Sequence, residues 1–364
     1  MLYFDYNATC PIRPEVVKIS HEVMSCHGNA SSIHGAGRAA RKHVEGAREH
    51  VATLVGCAPK QVIFTSGATE SNNTVLRGYA DRPLLVAATE HPSVYFCGRE
   101  DAITIPVKQS GLIDLKALEE LLKENKKALV SIMMVNNETG VIQPTEEICA
   151  LVHKYDGIFH TDAVQAAGRF PLSFKDLDVD FMSLSAHKLG GPQGVGALIT
   201  RQGVNPPKFM HGGGQERRCR AGTENVAGIA GFGEAARLAV EQMDDFQALE
   251  TLREKLENGL RQSSNRVRIY GEDAPRVANT TSCTVEGIDS AVFLMNLDLE
   301  NVAISSGAAC SSGAVKPSRV LLSMGVPEEL AKTGLRISMG WNTKEAEIDQ
   351  FLDKWNTCLK RMDK

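Results

Sequence analysis

The segment Ser183-Leu184-Ser185-Ala186-His187-Lys188-Leu189-Gly190-Gly191-Pro192 sets a lysine directly after an apolar run, between hydroxyl side chains and a glycine-rich stretch. An amine there can form a covalent bond with a carbonyl or take a proton, although a lone lysine at a strand-to-loop junction reads first as a solvated surface group. Upstream, Phe159-His160-Thr161-Asp162-Ala163-Val164-Gln165 ends a second apolar run on an acid, with Gln165 about one helical turn further on. Taken alone, Asp162 reads equally well as a helix N-cap. Together, an acid and a lysine at the ends of neighbouring strands meet what pyridoxal phosphate requires: a Schiff-base amine and a carboxylate for the pyridinium nitrogen. A phosphate cradle is available in the same sheet. Phe64-Thr65-Ser66-Gly67-Ala68-Thr69-Glu70-Ser71 follows an apolar run and opens a helix, so backbone N–H groups, the helix dipole and the Thr69 hydroxyl converge on a dianion.

The elements that must position these groups are legible as alternating runs. Strands are expected at 61–65, 84–88, 128–134, 158–161, 181–184 and 195–199, with amphipathic helices at 115–123 and 146–154 between them. This is the pattern of an α/β fold with a mainly parallel sheet, whose ligands sit at the carboxyl ends of the strands. One long helical pattern runs from about Asn225 to Gln262 and reads as a bridge to a smaller α+β unit, with strands at 266–270 and 282–286 and helices at 290–297 and 345–360. The expected division is a large cofactor-binding domain over 15–250 and a small domain from 1–14 and 251–364.

Composition narrows the function classes. A chain of 364 residues, 43% hydrophobic and 23% charged, buries a sizeable core. Lys and Arg total 40 against 44 Asp and Glu, a net charge of -4 without a basic block, which argues against nucleic acid as a direct partner. The longest apolar runs, such as 128–135, fall short of the ~20 residues of a membrane span. Met1-Leu2-Tyr3-Phe4-Asp5 has no cationic start before an apolar stretch, so a cytoplasmic protein is expected. Nine cysteines stand singly with no C-x-x-C pair, so neither a disulfide framework nor a metal site is expected, and most should be small buried residues.

Beyond the three segments already quoted, Asp5-Tyr6-Asn7-Ala8-Thr9, Gly28-Asn29-Ala30-Ser31-Ser32-Ile33-His34, Thr89-Glu90-His91-Pro92, Val135-Asn136-Asn137-Glu138-Thr139-Gly140, Arg220-Ala221-Gly222-Thr223-Glu224-Asn225, the stretch 305–312 and Leu335-Arg336-Ile337-Ser338 occur in order along nearly the whole chain. The set resembles the cysteine desulfurases of the nitrogen-fixation and iron-sulfur-cluster-assembly type, which are class V, fold-type I pyridoxal-phosphate enzymes. The resemblance implies a seven-stranded-type sheet and makes Lys188 the Schiff-base lysine, Asp162 the pyridinium partner and Gln165 a donor to the ring hydroxyl. It places His91 over the ring as a catalytic group, Ala68, Thr69, Ser185 and His187 around the phosphate, and Thr223 on the phosphate of a neighbouring subunit. Asn137, Arg336 and Asn29 would bind the substrate, Asn137 also touching the cofactor. Arg336 lies in an apolar strand, where an unpaired guanidinium is costly to bury, so a carboxylate partner is expected.

Cys310 is singled out by Ser305-Ser306-Gly307-Ala308-Ala309-Cys310-Ser311-Ser312-Gly313, a small, polar stretch that reads as an exposed loop, around 305–318, rather than packed core. An exposed cysteine can present a nucleophilic thiolate. The resemblance makes it the persulfide-forming residue. Its separation of 26 residues from Arg336 matches the longer-loop branch, which hands sulfur directly to a scaffold protein. The expected activity is removal of sulfur from L-cysteine to give L-alanine and a persulfide, in a homodimer serving an iron-sulfur scaffold or another sulfur-acceptor protein. A selenocysteine or cystine lyase and an aminotransferase of the same fold are the alternatives; the last would not need Cys310.

Overall fold

The structure, a computed structural model, describes residues 1–307 and 316–362. A two-residue strand β1 (Leu2–Tyr3) precedes a seven-stranded sheet made of β2 (Val62–Thr65), β3 (Leu84–Ala87), β4 (Ile103–Ile105), β5 (Leu129–Ser131), β6 (Ile158–Asp162), β7 (Phe181–Ser185) and β8 (Gly196–Thr200). Across the sheet the order is β2, β8, β7, β6, β5, β3, β4; β8 runs antiparallel to both its neighbours and every other pair is parallel. Residues of β2, β3 and β5 to β8 are buried along almost their whole length, as strands with helices on both faces must be, which is why they read as unbroken apolar runs. The register Asp162↔Ser183 brings the ends of β6 and β7 side by side, and with them the acid and the lysine that follow.

A second, four-stranded antiparallel sheet has the order β12, β13, β10, β9, formed by β9 (Val267–Tyr270), β10 (Thr280–Val285), β12 (Ser305–Ser306) and β13 (Gly334–Ser338), while β11 (Val302–Ala303) pairs in parallel with β1. Its own apolar cluster, with Phe293, Phe351 and Trp355 at the centre, is closed by the helices Leu249–Ser263, Ser290–Leu299 and Glu345–Met362. After β1 the chain bridges Asp5 to Ser338 of β13 and then runs to the Lys188 end of the first sheet, so the N-terminal segment spans from one sheet to the other.

Three local expectations are corrected. The apolar run 128–134 is strand only over β5; beyond it the Met133 N–H turns aside to the Glu90 carboxyl at 2.6 Å, and the chain bends into the site. The long helical pattern is three helices, Val226–Glu241, Met243–Gln247 and Leu249–Ser263; the first break falls at Gln242, which leaves helical geometry (φ -109°, ψ 25°) where its side chain accepts from Arg13. Strand β4, at the sheet edge and only partly buried, was not expected.

Among the described residues eight cysteines are free; Cys10, Cys97, Cys149, Cys283 and Cys358 are buried, Cys57 and Cys219 half-buried, and Cys26 is exposed, contrary to the general expectation. No helix among the described residues is long and apolar enough to cross a membrane.

Candidate active site

The carboxyl ends of β2, β6 and β7 and the N-terminal segment enclose a cavity of about 1020 Å³. Lys188, one turn beyond β7, directs Nζ to the carbonyl oxygens of Asn7 at 2.5 Å and Ala8 at 2.6 Å. Burial pushes its amine down to about 7, and the guanidinium groups of Arg336 and Arg169 push the same way against Asp162 and Asp5. Near neutral pH a large share of Lys188 is therefore the free amine, able to attack a carbonyl or take a proton.

Asp162 closes β6, and its carboxylate accepts from two neutral groups: Oδ1 from the Val164 N–H at 3.0 Å and Oδ2 from Asn72 Nδ2 at 2.8 Å. The first bond is the turn-capping contact expected of such an acid; the second leaves a buried anion facing the cavity. Gln165 is fixed end for end, since Oε1 accepts from Arg169 while Nε2 donates to the Asn7 carbonyl at 3.0 Å. His91 caps the short helix Pro92–Tyr95: Nδ1 accepts the Ser93 N–H at 3.1 Å, so the hydrogen-bond network assigns the ring proton to Nε2. Desolvation holds this imidazole below its usual range, helped by Lys188 and Arg319 and opposed by Asp162, so it is neutral and exposed to the cavity.

The anion cradle is built from a missing cap. The helix Ala68–Gly78 has Gly67 at its N-cap with no side-chain hydrogen bond, so its first N–H groups are open towards the cavity. Gly67 has φ 153°, and a Cβ added there would meet no atom within 4 Å, whereas one added at Gly196 would lie 2.7 Å from Gly67 Cα. Both glycines are thus tied to this turn: one for its backbone angle, one because β8 passes directly beneath it. Thr69, Ser185 and His187 line the same end. Burial pushes the His187 imidazole down to about 4, with Lys188 adding to the effect, and Nδ1 lies 3.2 Å from the Thr9 hydroxyl.

This donor set fits pyridoxal phosphate. An uncapped helix start suits a phosphate dianion, a buried carboxylate with only neutral partners suits a protonated ring nitrogen, and an amine titrating near neutrality suits the aldehyde. Asn72 Oδ1, buried and without a partner among the described residues, adds an acceptor beside Asp162.

Asn137 and Arg336 line the opposite wall, joined by the 3.2 Å bond from Arg336 Nη1 to the Asn137 carbonyl. The expected carboxylate partner of Arg336 is found within the chain, in Asp5 at 2.9 Å. Asn29 and Thr223 are exposed and lie off the cavity lining of their own chain; Arg220, at the start of the Thr223 segment, pairs with Glu70 of the cradle helix at 2.9 Å. Cys310 lies outside the described residues. The residues that bracket it on both sides, Ser306 and Gly307 before and Lys316 and Pro317 after, line the cavity.

Several groups in the site escaped the sequence reading. Burial holds the Glu90 carboxyl well above the usual carboxylate range against the pull of the Met133 N–H, and Glu90 Oε2 has no partner among the described residues. Burial likewise pushes Glu138 up to about 7, although Ser318 Oγ donates to its Oε2 at 2.5 Å. Arg319 stacks 3.9 Å from the Tyr95 ring centroid and donates to the Ala88 and Glu90 carbonyls. Glu90 and Glu138 adjoin His91 and Asn137 in the quoted motifs, and that adjacency was the available signal.

Residues 2–351 match the family described as aminotransferase class-V. The chain is 37% identical to the "Cysteine desulfurase IscS" of Dictyoglomus turgidum, covering 99% of this chain and 95% of that protein. Among solved structures, a NifS-like protein from Rickettsia africae superposes with a TM-score of 0.93 at 37% identity, 99% of each chain being covered. Another, described as SspA in complex with cysteine, gives a TM-score of 0.80 at 32% identity over 93% of this chain and 98% of that one. The chain belongs to the class-V aminotransferases, pyridoxal-phosphate enzymes of the fold described above. Within that class it is a member of the cysteine desulfurases.

Lys188 gives the site a testable pH signature. With its amine at about 7, the rate at which cofactor-free protein takes up pyridoxal phosphate should rise roughly tenfold per pH unit below that value and level off above it, because only the unprotonated amine attacks. Stopped-flow absorbance in the near-visible checks this. A rate still climbing tenfold between pH 8 and 9 would mean an amine close to the ordinary lysine value of roughly 10.4.

Proposed function

We propose that this chain removes sulfur from L-cysteine, releasing L-alanine and leaving a persulfide on Cys310. One observation carries the reading: an amine, a buried carboxylate and a guanidinium share a cavity whose lining includes the residues on both sides of Cys310.

Bound pyridoxal phosphate would supply the electron sink for the pair released when the substrate Cα loses its proton. Its phosphate would lie on Ala68 and Thr69 with Ser185 and His187, and its ring would be held by Asp162, Gln165 and His91. The chain's own residues do the rest. Arg336 and the Asn137 side chain hold the substrate carboxylate, fixing Cα beside Lys188. Lys188 takes the Cα proton, for which an amine near neutrality is suited. The Asp162 carboxylate would hold the proton of the cofactor's ring nitrogen. His91, neutral, takes the thiol proton of Cys310 and then supplies it to the carbon that loses sulfur. The Cys310 thiolate then attacks the substrate sulfur: an S–S bond forms, the C–S bond breaks, and its electron pair stays with carbon, which is protonated to give alanine. Cysteine plus enzyme thiol thus becomes alanine plus enzyme persulfide with no external oxidant. Incubation with L-cysteine and a reducing thiol should yield alanine and sulfide in equal amounts; sulfide accompanied by pyruvate and ammonia instead of alanine would contradict it.

The persulfide sulfur is passed to an acceptor protein, an iron-sulfur scaffold being the partner that the longer Cys310 to Arg336 spacing favours. The working unit is a homodimer in which Thr223, exposed and off its own cavity, completes the partner's phosphate site. Sedimentation should therefore give a dimer, and Thr223→Ala should retain cofactor less tightly through dialysis. A monomer that holds cofactor and turns over cysteine would overturn this assembly.

A further inference from the structure

Arg336 stands on β13 with its guanidinium nearly buried and already engaged. Nη2 donates to Oδ1 of Asp5 at 2.9 Å and Nη1 to the Asn137 carbonyl at 3.2 Å, while the buried Nε has no partner among the described residues. The second oxygen of Asp5 is also taken, since Ser305 Oγ donates to Oδ2 at 2.8 Å. Asp5 is bridged to Ser338, two residues beyond Arg336, and Ser305 faces Arg336 across the pairing of β12 with β13. One carboxylate therefore fastens three stretches of chain: the N-terminal segment, the strand bearing Arg336, and the short strand that leads towards Cys310. Arg336 and Ser305 line the cavity and Asp5 does not.

An arginine with many rotamers pays an ordering cost each time it closes on a carboxylate, and a partner that fixes it beforehand removes that cost from the binding step. Asp5 supplies such a partner from behind, and the two bonds leave a second N–H on each of Nη1 and Nη2 for another carboxylate. We propose that Asp5 is a positioning residue that pre-orders Arg336 for the α-carboxylate of the amino-acid substrate, setting substrate affinity rather than the rate of chemistry at Cα. The inference rests on the reading of Arg336 as the substrate's carboxylate partner. Asp5 also draws on the charge of Arg336; were that the larger effect, its removal would tighten binding.

The test uses cofactor-loaded Asp5→Ala, Asp5→Asn and Arg336→Ala proteins. Binding is read by titrating the near-visible cofactor band with L-alanine, which has the carboxylate but no sulfur to lose, and steady-state kinetics are run with L-cysteine. Asp5→Ala is expected to weaken L-alanine binding and raise KM about tenfold, the loss expected for one charge-assisted contact, with kcat changed by less than about threefold. Asp5→Asn, which keeps one acceptor oxygen for Arg336, should fall between Asp5→Ala and wild type, and it carries the test if Asp5→Ala does not fold. Cofactor content should be unchanged. In an Arg336→Ala background the Asp5 substitution should add less than about twofold, because the two act as a unit. Unchanged or tighter L-alanine binding in the Asp5 variants, with Arg336→Ala weakened, overturns the role of Asp5 alone. Unchanged binding in Arg336→Ala overturns the reading of Arg336 beneath it.

Discussion

Lys188→Ala is expected to be folded and to have lost turnover by at least about 10⁴-fold, the upper range for removal of a general acid or base, since the same side chain also anchors the cofactor. The fold should survive because, among the described residues, Lys188 bonds only to the carbonyl oxygens of Asn7 and Ala8. Leaving those acceptors without it costs about 1–3 kcal/mol, against the roughly 5–15 kcal/mol that holds a typical domain. Cofactor held by the cradle and Asp162 should remain bound without a covalent link. Circular dichroism reads the first point. Borohydride reduction followed by peptide mapping reads the assignment itself: wild type should carry the label on Lys188, and a label on any other lysine would contradict it.

Cys310→Ser is expected to separate binding from sulfur removal. The variant should take up cofactor and change its near-visible absorbance with L-cysteine, because Lys188, Asp162, His91 and Arg336 are untouched. Alanine and sulfide production should fall to background, as a serine hydroxyl is a much weaker nucleophile than a thiolate near neutral pH. Other cysteines are poorly placed to substitute. Burial pushes the thiols of Cys57, Cys149 and Cys283 up to about 12 and that of Cys10 to about 11, so almost none of each is thiolate at pH 7. Replaced singly by serine, they should change stability and leave sulfur transfer in place.

Part of this site was legible because its residues lie where local patterns end. Asp162 and Lys188 follow apolar runs that are strands β6 and β7, and Gly67 sits between a strand and a helix, so periodicity and turn chemistry were enough to bring them to one edge of one sheet. The N-terminal segment was not legible in this way. Asp5, Asn7 and Thr9 form no periodic pattern, yet they bond to Arg336, Lys188, Gln165 and His187, far along the chain, and only the closed fold brings them there. Glu90 and Glu138 were passed over for a related reason: burial is what raises their proton affinity, and the chain that buries them, with the Met133 N–H and Ser318 hydroxyl that bond to them, comes from other strands and loops. The break at Gln242 carries no glycine or proline, so the helical pattern ran through it. Asn29 and Thr223, exposed on their own chain, were proposed for the site through resemblance alone.

The most direct test of the account is to find where the sulfur goes. Protein exposed briefly to L-cysteine, quenched with an alkylating agent, digested and examined by mass spectrometry should carry one additional sulfur on the peptide containing Cys310, accumulating in step with alanine. Alanine formed at the full rate by protein in which Cys310 never carries the additional sulfur would contradict it.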